Sequence, residues 1–349
     1  MTYNLVSAIL IEKDPKTRAD YEPLLIQLGW MEELGHALLK QRMARGSIGF
    51  ELPEAFVEVT DSDEVKDIAR RERNFAHQII EEFMLAANEA VARTMADNNL
   101  QKGLFRIHEA PDKTKVAEFK TFAHTMGLKL PKGDETPRWF GEIIKLTAGK
   151  PQEYIVNNLL LRTMKQARYS YENPGHFGLA ASHYCHFTSP IRRYPDLMVH
   201  RALGEFLTKK AAKKKTAVSK NKGQEPQVAG DEGEFLSKRE RVAVDAEREM
   251  VDRLKVIYME DKIGESFSGI ISGVTSFGLF VELLDSFVSG AVPITAITDD
   301  YYNLDEKNHR LIGKKTHKIY QIGDLVTVKL TSVEKARRRI SFEVVTGKD

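Results

Sequence analysis

The sequence predicts an α+β protein in two unequal parts, a largely helical region to about residue 208 and a small β region over 263–346. One change of period and one shift of composition predict it. Apolar residues recur at helical spacing through much of the first 170 residues, and from Ile263 the period shortens to strand-like alternation. Between these, residues 209–234 read KKAAKKKTAVSKNKGQEPQVAGDEGE, with seven lysines and few apolar side chains, which marks a flexible linker or surface loop. Residues 235–262 then form a charged connecting helix, with Leu236, Val244 and Leu254 among its few apolar points.

Composition narrows the function classes. A chain of 349 residues, 42% hydrophobic and 29% charged, is long enough for two domains with their own cores. The net charge of +2 gives no strong overall field, so affinity for nucleic acid has to come from local patches. A single cysteine, Cys185, excludes an internal disulfide and fits a reducing cytoplasm. The first residues, MTYNLVSAILIEKD, lack the basic start and cleavage site of a signal peptide, and no apolar run is long enough to predict a membrane span.

Taken in order, Tyr3 to Ile11 reads as an apolar helix with no cap before it. From Pro23, residues Leu24, Leu28, Met31, Leu34 and Leu38 form a core-facing helical stripe that stops by Gly46. GSIGFELP, Gly46 to Pro53, breaks that period. Thr60 to Glu64 form an acidic turn, and a long helix is predicted from about Ala69 to Met95 with Ile80, Phe83, Met84, Ala87 and Val91 buried. LFRIHEAPD, Leu104 to Asp112, follows, with Arg106 and His108 as polar candidates. Helices are predicted from Lys113 to Met126, closed by Gly127; from Thr136 and Pro137 to near Gly149; and from Pro151 to Tyr169. ENPGHFGLA, Glu172 to Ala180, then turns the chain.

The richest stretch comes next, HYCHFTSPIRRYPDLMVHR from His183 to Arg201. Ser189 and Pro190 read as an N-cap and first helical position, which would aim free backbone N–H groups at an anion. Arg192 and Arg193 add charge there, and a planar guanidinium takes two phosphate oxygens at once. Pro195 implies a kink, or a helix restarting at Pro195 and running toward Leu207. The plain alternative is that the arginines only pair with Asp196 or lie solvated.

From Ile263, ESFSGIISGVTSFGLFVELL, SGAVPI and DLVTVKLTSVEKARRRISFEVV give about five strands, which suggests an OB-type barrel.

The His183 to Arg201 run closely resembles the signature of the RNB catalytic domain of the ribonuclease II and ribonuclease R family, and is most similar to the ribonuclease R branch. The resemblance implies a helical C-terminal part of an RNB domain over 1–208, followed by a five-stranded OB-fold β-barrel. It also implies a 3′-to-5′ exoribonuclease that hydrolyses RNA, mainly single-stranded, to nucleoside 5′-monophosphates. Arg192 becomes the catalytic phosphate clamp; His186, Thr188, Ser189, Arg193 and Tyr194 become RNA-binding. GSIGFELP resembles a family segment whose aromatic stacks on bases, here Phe50, although taken alone Phe50 reads as core. EEFMLAAN resembles a segment that places Glu82 and Asn88 along the RNA channel, although Glu81, Glu82 and Glu89 alone read as a solvated helix face. The barrel resembles an OB-fold RNA-binding module in which Phe277 and Phe280 form a stacking platform. Alternation by itself would turn one of that pair into the core. Pro293 stands where that module usually has a histidine, and Arg337, Arg338 and Arg339 supply compensating charge.

The resemblance further implies Mg²⁺ held by clustered aspartates. None of Asp61 with Asp63 and Glu64, Asp231 with Glu232 and Glu234, Asp245 with Glu247 and Glu249, or Asp299 with Asp300 matches that pattern. The expectation is therefore a C-terminal portion that needs an upstream fragment carrying the aspartates, that exposes apolar surface and is poorly soluble alone, and whose competing role is non-catalytic binding of single-stranded RNA. Zinc on His183, Cys185 and His186 lacks a second ligand pair, and serine catalysis through Ser189 or Thr188 with His186 lacks a nucleophile elbow.

Overall fold

A computed structural model describes residues 1–50, 55–62, 65–70, 73–100, 102–150, 153–215 and 231–345. The chain opens with α1 (Tyr3–Leu10), and it is capped after all: the Thr2 hydroxyl accepts from Leu5 N at 3.3 Å. Asp14 caps α2 (Pro15–Asp20) through Thr17 N at 2.7 Å. The long helix α3 (Leu25–Ala44) lies against α4 (Phe75–Asp97), close enough that a Cβ on Gly35 would sit 3.1 Å from Ile79 Cγ1. The expected stripe on α3 is corrected: Leu28 is buried, but Leu24 and Leu34 are exposed, as are Ile26 and Trp30, each at 65%.

Between these helices stands a hairpin that the sequence reading ran into the long helix. β1 (Ala55–Val59) pairs with β2 (Val65–Arg70), and α4 begins only at Phe75, where Asn74 accepts from His77 N at 3.3 Å. β3 (Phe105–Ile107) pairs with β4 (Arg168–Ser170). Three helices lie between these strands. They are α5 (Lys113–Thr125), capped by Asp112; α6 (Pro137–Thr147), capped by Thr136 with proline in its first turn; and α7 (Glu153–Thr163). They bury Phe119, Trp139, Phe140, Ile143 and Leu160 together. The predicted helix to Tyr169 thus stops six residues early, because Tyr169 is taken into β4.

α8 (Tyr194–Lys215) and α9 (Glu232–Glu260) flank the lysine-rich stretch. Its Lys209 to Lys215 part continues α8 and Glu232 to Glu234 open α9, so those ends are helix rather than loop; residues 216–230 lie outside the described residues.

The remaining strands are β5 (Ser266–Thr275), β6 (Gly278–Leu283), β7 (Ser289–Pro293), β8 (Tyr302–Asp305), β9 (Arg310–Gly313), β10 (Ile319–Gln321), β11 (Leu325–Glu334) and β12 (Arg339–Val344). Five of them run in the order β11-β12-β7-β6-β5, with β5 paired back onto β11. These five strands close into a barrel, and the expected five-stranded OB-fold β-barrel needs two amendments. The described region has a second, separate sheet, β10-β9-β8, and the five-stranded sheet is mixed, because β12 meets β7 in parallel through Ser341 and Ala291. Ile271, Leu279, Val281, Leu330 and Phe342 fill its interior. The β5–β6 turn requires Gly278: its φ is 141°, and a Cβ there would lie 2.0 Å from Val292 O.

The two regions share contacts. Ile322 packs into the core of α5, α6 and α7, Tyr154 donates to Glu282, and Tyr258 donates to Asp67 at 3.0 Å.

Candidate nucleic-acid interface

The segment from Ala181 to Arg193 has no regular structure, so its backbone polar groups need partners from elsewhere. Asn88, fully buried on α4, supplies three contacts to the segment, one of them to a backbone group. Its Nδ2 donates to Tyr184 OH at 3.1 Å, its Oδ1 accepts from Phe187 N at 3.1 Å, and its carbonyl accepts from Cys185 Sγ at 3.4 Å. Tyr184 O accepts from Arg106 N at 2.9 Å, and Phe187 O is bonded by His200 Nε2 at 2.8 Å. The segment is thereby tied to α4, β3 and α8.

Ser189 to Arg193 form a turn, in which Ser189 O accepts from Arg192 N at 3.3 Å and Arg193 N at 3.1 Å. This corrects the expected cap: the helix begins at Tyr194, not at Pro190, and Pro195 lies in its first turn, where no N–H is missed. Asp196, fully buried in that turn, accepts from Ser189 N and from Arg193 Nη2, each at 2.8 Å. A carboxylate at a helix start is favoured by the helix dipole as well as by these two donors. For Arg193, then, the plain reading of an Asp196 pair describes the contact. Arg193 Nε and Asp196 Oδ2 are buried without partners among the described residues. Arg192 lies on the outside of the turn, exposed and without an ion pair among the described residues, beside exposed Ile191, Thr188 and Tyr194.

Beneath the turn lies a ladder of imidazoles and phenols. His186 Nδ1 and Tyr169 OH are 2.8 Å apart, Tyr169 donates to Glu240 of α9 at 3.1 Å, and Glu240 pairs with Arg106 at 2.5 Å. His176 is 5.3 Å from the Tyr184 ring and 5.1 Å from His108. Burial pushes the His186 pKa down to about 2, helped by the charges of Arg193 and Arg106, and pushes His176 down to about 3. His108 is lowered by burial too, which suits its bonding: Nδ1 accepts from Gly178 N at 2.9 Å, as a protonated ring could not.

Glu82 is not on a solvated face. It is buried and takes Arg42 in a forked contact, with Nε at 3.0 Å from Oε2 and Nη2 at 2.6 Å from Oε1. Arg42 Nη1 in turn donates to Ser47 Oγ at 3.1 Å, and Ile48 N bonds Gly178 O at 2.8 Å, so this pair anchors the loop that carries Phe50. Phe50 itself is half-buried against the core of α5, α6 and α7.

On the second region, both aromatic candidates face solvent. Phe277 is 83% exposed in the β5–β6 turn and Phe280 is 48% exposed on β6. Arg339 is exposed at the start of β12, whereas Arg338 pairs with Glu249 at 3.0 Å and Arg337 with Glu334 at 3.5 Å.

A family model described as the RNB domain matches residues 1–209, and one described as the S1 RNA binding domain matches residues 260–344. The chain belongs to the RNB-domain family. Ribonuclease R of Aquifex aeolicus (strain VF5) is 43% identical over 99% of this chain and 48% of that protein, and ribonuclease R of Escherichia coli (strain K12) is 37% identical over 99% and 43%. A solved structure of Mycoplasma genitalium RNase R in complex with ribose methylated single-stranded RNA matches with a TM-score of 0.86 at 28% identity, over 98% of this chain and 53% of that one. This RNB-family chain spans about half the length of the curated relatives it matches.

Magnesium does not fit the described residues, among which no three His, Cys, Asp or Glu side chains gather to hold a metal. Asp299 is engaged by Lys318 and Tyr302, each at 3.0 Å, and Asp300 by the backbone of Lys315 and Thr316 at 2.8 and 2.6 Å. Asp245 and Glu247 are solvated on α9. The His183, Cys185 and His186 trio offers no site either: the Cys185 thiol is buried, its pKa pushed up to about 12, and His186 Nδ1 is committed to Tyr169. Among the described residues, no helix of this RNB-family chain is long and apolar enough to cross a membrane. Sequence reading missed Asn88's role as a staple, Asp196 as the turn's anchor, and Glu240. Only Asp196 carried a signal, an acid three residues after the Arg pair.

Proposed function

We propose that this chain forms the RNA-holding part of a ribonuclease R-like 3′-to-5′ exoribonuclease of the cytoplasm, one that releases nucleoside 5′-monophosphates. The observation that carries the reading is Arg192, an exposed guanidinium without an ion pair among the described residues, held on a turn that buried Asp196 fixes. Such a group is prepaid: a phosphate that meets it displaces no internal partner, and a forked contact stabilises the charge that develops on a scissile phosphate. Arg193 and Tyr194 orient the strand beside it, with Ser189, Thr188 and His186 along its path. Phe277 and Phe280 stack on bases whatever their sequence, with Arg339 on the backbone, and Phe50 stacks on a terminal base. Glu82 and Asn88 serve by fixing the surfaces around the strand. Cleavage further needs carboxylates that seat magnesium, beyond those described here.

Mixing the chain with a separately expressed segment bearing the family aspartates, plus Mg²⁺, tests the reading. Nucleoside 5′-monophosphates should appear, and Arg192→Ala should abolish them while the complex still assembles. A correctly assembled complex that releases no nucleotide refutes the exonuclease assignment. A second reading, binding of single-stranded RNA without cleavage, is favoured for this chain by itself because the described carboxylates are otherwise engaged or dispersed. Nuclease-free chain that digests RNA unaided would exclude it.

A further inference from the structure

Glu240 lies between the two stretches matched by family models, which end at residue 209 and begin at residue 260, yet it reaches the interface. Its carboxylate, paired with Arg106, accepts the hydroxyl of Tyr169 at 3.1 Å. A phenol carries one proton. With that proton on Glu240, the Tyr169 oxygen is left to accept from His186 Nδ1 at 2.8 Å. The Arg106 guanidinium lies 4.6 Å from the centre of the Tyr169 ring, holding the phenol from its face. A neutral imidazole whose proton sits on Nδ1 offers a bare lone pair at Nε2, and that nitrogen has no partner among the described residues.

We propose that the Glu240–Tyr169–His186 relay sets His186 as a hydrogen-bond acceptor for a ribose 2′-hydroxyl, making it the residue that distinguishes RNA from DNA at this interface. The surroundings favour that partner. Arg192, exposed and without an ion pair among the described residues, is suited to phosphate oxygens, which carry no hydrogen and cannot donate to Nε2. The 2′-hydroxyl is the donor by which a protein separates the two nucleic acids. Tyr169 and Glu240 are positioning residues, acting only through the ring of His186.

The inference rests on the RNA-holding reading, and the full chain tests both. Its affinity is measured for one single-stranded sequence as RNA, as DNA and as 2′-O-methyl RNA. The unmodified RNA should bind tightest. His186→Ala should weaken RNA roughly five- to tenfold, the worth of one neutral hydrogen bond, and leave the other two unchanged. Tyr169→Phe should move RNA in the same direction, and ¹⁵N NMR of the His186 ring should show Nδ1–H in the wild type and a shift toward Nε2–H in this variant. Equal losses for RNA and DNA, or an unchanged RNA preference in folded His186→Ala, overturn the inference alone. Should His186→Ala fail to fold, the ring spectrum and RNA preference of Tyr169→Phe decide. A wild-type chain that binds no RNA overturns the RNA-holding reading and this inference with it.

Discussion

Replacing Asn88 by alanine tests how the signature segment is held. The side chain is fully buried and satisfies two groups of that segment from α4, the Phe187 N–H and the Tyr184 hydroxyl. Truncation leaves both in a water-poor site, and each stranded buried group costs ~1–3 kcal/mol. The expected loss is therefore about 4 kcal/mol, a large share of the ~5–15 kcal/mol that holds a typical domain together. Urea unfolding followed by tryptophan fluorescence measures it, since Trp139 is buried in the core of α5, α6 and α7. RNA titration of the remaining folded protein should show a parallel fall in affinity, because the turn bearing Arg192 begins two residues after Phe187. A loss below about 1 kcal/mol with unchanged RNA affinity would refute the idea that α4 holds this segment.

Breaking the Arg42–Glu82 pair by Glu82→Ala should cost ~3–5 kcal/mol by stranding a buried guanidinium, and Arg42→Met with Glu82→Leu should recover much of it; chemical denaturation of the three variants checks both statements. Stability should also fall with acid. The pKa values of His108, His176 and His186 lie below the unfolded value of 6.5, so the unfolded chain gains protons first: their contribution is intact above about pH 7.5 and is lost as the pH falls toward their folded values. His176 and His186 each give up ~1.4 kcal/mol between about pH 7.5 and pH 5.5, ~3 kcal/mol for the two, with His108 acting in the same direction, and urea midpoints across that window provide the measurement. Phe277→Ala with Phe280→Ala should weaken single-stranded RNA binding by ~1–3 kcal/mol per lost stack without changing its salt slope, as fluorescence anisotropy at several salt concentrations would show.

Local chemistry was legible in the sequence where its cause is local. Thr136 with Pro137 marks a helix start because a cap needs only the next three residues. The alternation after Ile263 exposed the β character of the second region for the same reason, but the order of its strands, the parallel β12–β7 contact and the extra β8–β10 sheet depend on pairings distant in the chain. The start of α8 misled because Ser189 and Pro190 have the composition of a cap. A residue seven positions later, Asp196, takes the Ser189 N–H and turns the chain once more before the helix. Glu82 and Glu240 misled in the same way: their partners Arg42 and Arg106 stand 40 and 134 residues away, so each reads as an ordinary surface acid. Strand parity argued that only one of Phe277 and Phe280 could face out, yet Phe277 sits in the turn, where parity does not apply.

That distant wiring gives α9 its importance. The helix touches the interface through Glu240 and the core of the second region through Val256 and Met259, with a solvated stretch between them. At 1.5 Å per residue, the 19 residues from Glu240 to Met259 form a strut of about 29 Å, too stiff to be a slack tether. Ile322 and the Tyr154–Glu282 contact brace the same junction. On the proposed reading, a strand held at Arg192 and stacked on Phe277 and Phe280 would therefore meet two sites at a set separation. The second contact would then form at a high effective concentration once the first is made, and weak, sequence-tolerant contacts would add up to firm binding without a strongly basic chain.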